Sequence, residues 1–318
     1  MRRPWRGKGT FWLAALFLLA VAAPWVAPYP PELQEDVAGA RFLPPLTRAH
    51  AVRIDPVHVR IVTSLRATQD GWEFSRGGKK GSVRREDLLE EPSPRSYLLG
   101  TDQLGRDVAS RLLFGARHSL GIAAVSVAIA LAVGAGLGGL AGLARPELGA
   151  AVMWGVDVIR SVPRLLIYLL CATLFAPSTL LLILVMGMTT WTPVARLVRA
   201  QILALRESGL ATAARALGAS AGRTFLRHLV PQIIPLLVVS ATLRFADTVL
   251  LESALSLLGL GSPPPAVSLG SVMASGRSVL AEAWWVSACP GLLLCATLLA
   301  LRSGATELSR ISDPPSLV

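Results

Sequence analysis

Hydrophobic residues fall in long runs along this chain, and the runs rather than any short periodicity set its organisation. The clearest, Ser119 to Ala144, holds no charged residue over 26 positions, more than the about 20 helical residues that cross a bilayer core. An earlier run, Phe11 to Ala27, follows the basic residues Arg2, Arg3, Arg6 and Lys8 and has Trp12 and Trp25 near its ends. Its small-residue stretch Ala20-Val21-Ala22-Ala23 also fits a cleaved signal, but its length and flanking tryptophans favour a retained first span. Further spans are expected from about Ile233 to Leu251 and from Trp285 to Leu301, with Trp284 and Trp285 at headgroup level.

Between Leu148 and Leu197 the runs are ambiguous, because one long tilted span and two short ones both fit. Parity decides. With a cytoplasmic amino terminus, two spans return the chain to the cytoplasm before Arg196, Arg199, Arg206, Arg215, Arg223 and Arg227, whereas one span leaves those arginines outside in a short loop. Spans near Val152 to Phe175 and Thr179 to Leu197 follow, and the carboxyl terminus is cytoplasmic.

The polar stretch from Tyr29 to His118 carries 14 basic and 12 acidic residues and is expected outside the cytoplasm. Val57, Val59 and Ile61 alternate with His58 and Arg60, and Asp70-Gly71 precedes Trp72-Glu73-Phe74, which predicts a small β-hairpin. From Leu104 to Leu120 the spacing of Leu104, Val108 and Leu112 predicts a surface amphipathic helix, with Thr101 or Asp102 capping its first amides. The domains read as 1–28 (amino terminus and first span), 29–118 (extracytoplasmic) and 119–318 (core, with a cytoplasmic loop at 206–231).

Composition supports this class: 53% of residues are hydrophobic and only 16% charged. The net charge of +11 fits cytoplasmic loops beside anionic lipid better than nucleic acid, which is not expected as a partner. Cys171, Cys289 and Cys295 all lie in apolar runs, so neither a disulfide framework nor a metal site is implied. The expectation is an all-α polytopic membrane protein of six transmembrane helices with a small extracytoplasmic segment.

The loop between the fourth and fifth spans carries the candidate function. Arg206 to Gly218 is helix-prone, with Leu210, Ala213, Ala214 and Leu217 on one small, apolar face. Gly218 permits a turn, and a second short helix can run to His228 before Pro231 opens the next span. Small side chains let a partner approach the backbone, and a loop gripped between two spans acts as a lever. A plain basic loop on lipid headgroups is the alternative.

Here the sequence resembles the inner-membrane permease subunits of ATP-binding-cassette importers, in the dipeptide, oligopeptide and nickel branch. Ala213-Ala214, Gly218 and Pro231 stand at that family's loop spacings, with Thr212 replacing a glutamate and His228 and Val230 replacing an isoleucine and a leucine. Ala213 to Ala219, including Arg215, and Arg227 to Pro231 look like the branch's own variant. Gly100-Thr101-Asp102-Gln103-Leu104-Gly105-Arg106-Asp107, Asp157 with Pro163-Arg164-Leu165-Leu166, and Glu252 to Gly261 also match, while Leu269 stands where a tryptophan is usual.

The resemblance implies one amino-terminal helix plus a five-helix type I importer core. The implied partners are a homologous permease subunit, two ATPase subunits, an extracytoplasmic solute-binding protein and the lipid of a bacterial inner membrane. It also implies that ATP and magnesium are held by the ATPases, that this chain binds no cofactor and does no covalent chemistry, and that its loop transmits the ATPase motion. Peptide leads among solutes, with nickel chelate, opine and sugar open.

Asp157, Arg244, Asp247 and Glu252 lie in or near apolar spans, where ionisable groups are costly and become functional candidates. Arg244 and Asp247, three apart, are expected to neutralise each other, and Glu252 to serve helix packing. The segment Gly218 to Thr224 imitates a phosphate loop but has the wrong glycine spacing and arginine for lysine. No two of His50, His58, His118 and His228 take metal-ligand spacing on one helix, which disfavours a membrane enzyme. An autonomous channel or ion-coupled carrier is the other alternative.

Overall fold

The computed structural model describes residues 8–55, 58–76, 78–207, 227 and 230–312. They form two compact units, one of Met1–Leu16, Leu120–Glu252 and Ala296–Val318, the other of Phe17–Ser119 and Ser253–Cys295. The sequence division at residue 118 differs, because the stretch after Glu252 groups with the polar segment. Two hydrogen bonds show why: Ser119 Oγ accepts from the Leu269 amide at 3.2 Å, and Trp285 Nε1 donates to the Thr101 carbonyl at 3.2 Å.

The chain opens with α1 (Lys8–Val21) and α2 (Ala23–Val26), the latter with proline in its first turn. Next comes α3 (Val37–Ala40), capped by Asp36, whose carboxylate accepts from the Gly39 amide at 3.0 Å. The polar segment then forms six strands: β1 (Thr47–Arg53), β2 (Val59–Val62), β3 (Ser64–Ala67), β4 (Gly71–Arg76), β5 (Lys79–Arg84) and β6 (Ser93–Tyr97).

These strands make two antiparallel sheets, ordered β2-β1-β6 and β3-β4-β5. Alternation along β1 sends Ala49 and Ala51 into one apolar cluster, with Ala40, Leu43, Ile61 and Tyr97. Val52 points the other way, to Val62 and Val83 and the half-buried Leu65, Trp72 and Phe74 of the second sheet. The predicted hairpin is therefore corrected. Asp70-Gly71 does close a turn, but it joins β3 to β4, with Leu65 opposite Phe74, while β2 pairs with β1. Both apolar sides of β1 and β2 need cover, which one hairpin does not supply.

Helix α4 (Val108–Leu143) runs unbroken for 36 residues, merging the predicted surface helix with the second span. Its cap is Asp107, whose Oδ2 accepts from the Ser110 amide at 2.7 Å, not Thr101 or Asp102. Burial pushes the Asp107 carboxyl up despite the bonds from Ser110. Asp102 is fully buried in the preceding loop, accepting from the Leu104 and Arg106 amides at 2.9 and 3.0 Å and from Arg106 Nε at 2.8 Å. Gly105, at φ 72°, supplies the left-handed turn that closes this loop.

Beyond it lie α5 (Pro146–Ser161), α6 (Arg164–Leu174), α7 (Thr179–Thr190) and α8 (Thr192–Arg206). The predicted third span, Val152 to Phe175, is thus two helices of 16 and 11 residues parted at Val162-Pro163. Pro163 has no amide to donate and disfavours a helical residue before it. The fourth extends past Leu197 to Arg206. Then come α9 (Val230–Leu257), α10 (Leu269–Gly276) and α11 (Trp285–Ser312), with internal prolines at Pro235 in α9 and Pro290 in α11.

Among the described residues, Val108–Leu143, Thr179–Arg206, Val230–Leu257 and Trp285–Glu307 are long and apolar enough to cross a membrane. The other expected spans correspond to α1 and to the α5–α6 pair, which are shorter. The fold is mostly helical and membrane-spanning, with a small β portion.

Candidate functional site

Helices α8 and α9 flank the predicted docking loop. Leu210, Ala213, Ala214, Arg215, Leu217, Gly218 and His228 lie outside the described residues. Arg227 is exposed, and Pro231 stands in the first turn of α9, where its missing amide hydrogen goes unused.

The roots of the loop share one core. Val194, Val198 and Ile202 of α8 are buried with Ile233 of α9, and Leu131 and Ala135 of α4 with Leu237 pack against them. Glycines of α4 allow this approach. A Cβ on Gly134, Gly138 or Gly142 would come within 2.6 Å of Val194 Cβ, 2.3 Å of the Ala195 carbonyl and 2.9 Å of Ile202 Cβ respectively. These glycines recur every four residues and put one small stripe of α4 against α8, the arrangement that lets membrane helices meet closely. Arg206, the last residue of α8, donates from Nη1 to the Gly142 carbonyl at 2.9 Å. That carbonyl belongs to the last turn of α4, which lacks helical donors and favours a cation.

The intramembrane candidates fall into separate places. Arg244 and Asp247 approach to 3.6 Å on α9, and Arg244 Nε is buried without a hydrogen-bond partner. Glu252 is fully buried, near the end of the same helix. Asp157 on α5 forms an ion pair with Arg196 on α8. The sequence reading counts Arg196 among loop arginines. The structure instead places it in the second turn of α8, because that helix continues for ten residues beyond it. An unmatched aspartate in one apolar run and an arginine in the next was the available signal. Behind this pair, Met153 and Val156 of α5 pack with Trp191, Ala195 and Ala130.

Among the described residues, no group of three or more His, Cys, Asp or Glu is placed to hold a metal ion. The ends of α8 and α9 on either side of residues 208–229 thus share one core with α4.

Comparison with known proteins bears on this reading. Residues 134–303 match the family described as "Binding-protein-dependent transport system inner membrane component". A protein of Brucella suis named as a peptide transport system permease is 33% identical over 269 residues, covering 85% of this chain and 89% of its own. A di/tripeptide transport system permease protein of Pseudomonas aeruginosa is 35% identical over 235 residues, covering 72% and 78%. Among solved structures, an inward-facing MetNI methionine transporter chain matches with a TM-score of 0.54 at 20% identity, over 64% of this chain and 96% of that one. A chain of an amino acid transporter crystallised with histidines gives 0.53 at 17% identity, over 64% and 94%. These structures support the fold.

Proposed function

Because the chain belongs to the family of binding-protein-dependent transport system inner membrane components, and so is a permease subunit of an importer, we propose that it forms one half of a peptide-conducting pathway and takes its motion from ATPases through residues 206–231. The peptide assignment rests on its relatives from Brucella suis and Pseudomonas aeruginosa, both named for peptide transport. The other half is a homologous permease, two ATPase subunits grip the cytoplasmic loops, and an extracytoplasmic binding protein delivers solute. ATP and magnesium reside on the ATPases. This chain holds no cofactor, performs no covalent step, and has both termini in the cytoplasm, with basic loops against anionic lipid.

The observation that carries the lever is the shared core of α8, α9 and α4, reinforced by the Arg206–Gly142 bond. A rigid root converts a push on the loop into a movement of helices, the kind of switch that alternating access requires.

The test is uptake by the reconstituted complex of both permeases, ATPases and binding protein. Gly218→Phe or Ala214→Phe is expected to reduce ATP-driven dipeptide uptake at least tenfold while the chain still inserts. Unchanged uptake removes the docking role, and solute movement by this chain without any ATPase removes the importer reading in favour of a channel or carrier.

A further inference from the structure

The β-containing unit holds a small cavity whose charges do not balance. It measures about 10 Å³, room for one water-sized group, and is partly open to solvent. Its polar lining is Tyr29, Glu35, Asp36, Tyr97 and Asp107, with Leu33 and Ile61 among its apolar walls. Two of the three carboxylates are neutralised. Glu35 Oε1 accepts from Arg95 Nη2 at 2.7 Å, and Asp36 takes the Arg76 guanidinium through both oxygens, at 2.7 and 2.8 Å.

Asp107 is the exception. It is only 4% exposed, its Oδ2 is spent on the Ser110 amide, and its Oδ1 is buried without a hydrogen-bond partner. Among the described residues no cation pairs with it. A buried carboxylate in this state is costly, so the free oxygen calls for a donor that also carries positive charge.

The lining offers three acceptors: Asp107 Oδ1, the second oxygen of Glu35 and the Tyr97 hydroxyl. Burial, and then Tyr29, Glu35 and Asp107, push the Tyr97 hydroxyl well above its ordinary value, so these groups lie within electrostatic reach of one another. A primary ammonium has three donors and about the size of a water molecule. It is also attracted to aromatic faces such as those of Tyr29 and Tyr97, whose ring centroids stand 5.7 Å apart. A divalent metal fits less well. No three His, Cys, Asp or Glu among the described residues are placed to hold one, and Arg76 and Arg95 already occupy oxygens that it would need. Water supplies donors without charge and leaves Asp107 uncompensated.

We propose that this cavity seats one primary ammonium group, either the side chain of a lysine on the solute-binding protein or the amino terminus of the peptide it delivers. The seat stands on the geometry alone. Only the source of the ammonium rests on the importer reading, in which residues 29–118 face the binding protein.

The test uses the assembled importer in lipid nanodiscs, with hydrogen exchange read at residues 33–40 and 97–110. Methylammonium chloride is expected to slow exchange there at least threefold relative to sodium chloride at equal ionic strength, whereas tetramethylammonium chloride, too bulky for the cavity, is not. Asp107→Asn keeps an oxygen for the Ser110 amide and should abolish the protection. If that variant does not assemble, Tyr97→Phe is expected to reduce the protection instead. Equal exchange in all three salts, or protection that survives both substitutions, overturns the proposal in favour of a cavity that holds only water.

Two further readouts name the source. An affinity of the binding protein for the complex at least threefold weaker in methylammonium identifies a lysine. A raised KM for dipeptide uptake with that affinity unchanged identifies the peptide terminus, and no effect on either overturns the role in delivery. ATP-driven uptake in sodium chloride checks the importer reading by itself, and its failure leaves the exchange result standing.

Discussion

Arg206 Nη1 donates a 2.9 Å hydrogen bond to the carbonyl oxygen of Gly142, tying the last residue of α8, where the proposed docking loop begins, to the last turn of α4. A charge-assisted bond of this kind contributes about 1.5–3 kcal/mol, enough to hold a helix end but not the fold. Arg206→Gln is therefore expected to leave insertion and assembly intact while loosening the lever. Uptake per ATP hydrolysed should fall about threefold or more in proteoliposomes, and an unchanged ratio would show that the bond plays no part in coupling.

The glycine stripe of α4 gives a sharper contrast. Gly138→Val places a side chain against the Ala195 carbonyl, where even a Cβ would sit 2.3 Å away. Neither backbone can yield cheaply, so overpacking of about 1–3 kcal/mol or more is expected. Gly121→Ala, with nothing within 4 Å of the new Cβ, is the control. In detergent, the thermal transition of the first variant should drop by several degrees and that of the second should stay at the parent value.

Acid should loosen the β portion. Burial alone would raise the Asp36 carboxyl, but the Arg76 guanidinium and the amides of Ile61 and Gly39 together outweigh it and hold it below its ordinary value of 3.8. Since the folded value is lowered, the stabilisation is fully present above the ordinary value and lost as pH falls through the folded one. Protease resistance of the segment 29–118 should be flat from pH 7 to 5 and decline below about pH 4. Asp36→Ala, which leaves buried amides and Arg76 unpaired, is expected to cost about 3 kcal/mol and to abolish that pH dependence.

Near Trp285, two substitutions should differ in severity. Gly100 has φ 73°, and a Cβ there would meet the Leu43 carbonyl at 2.4 Å and Trp285 Nε1 at 2.8 Å, so Gly100→Ala suffers both strain and collision. Trp285→Phe keeps a six-membered aromatic ring but loses the pyrrole ring with its donor to the Thr101 carbonyl, a cost of about 1 kcal/mol for the bond plus the small space left behind, without backbone strain. Hydrogen exchange at residues 97–107 should rise strongly in the first and slightly in the second.

Much of this architecture was legible beforehand. Hydropathy located α4, α7–α8, α9 and α11, because a helix that crosses lipid must satisfy its backbone locally and so writes its length as a continuous apolar run. The stripe of Gly134, Gly138 and Gly142 is written in the sequence too, as small residues at four-residue spacing, but spacing alone does not say which helix it meets. The break at Val162-Pro163 was marked by the proline, although apolar residues on both sides of it masked the interruption.

What the sequence by itself determined is the membrane class, the main spans and the family, since each depends on residues close together in the chain. Tertiary structure alone decided that β2 pairs with β1, that Asp107 rather than Asp102 caps α4, that Asp157 meets Arg196, and that Arg206 closes on Gly142. Each of these is a choice among chemically equivalent partners. A strand edge, a carboxylate or a guanidinium has many possible mates in one sequence, and only the packing that brings distant backbones together selects among them.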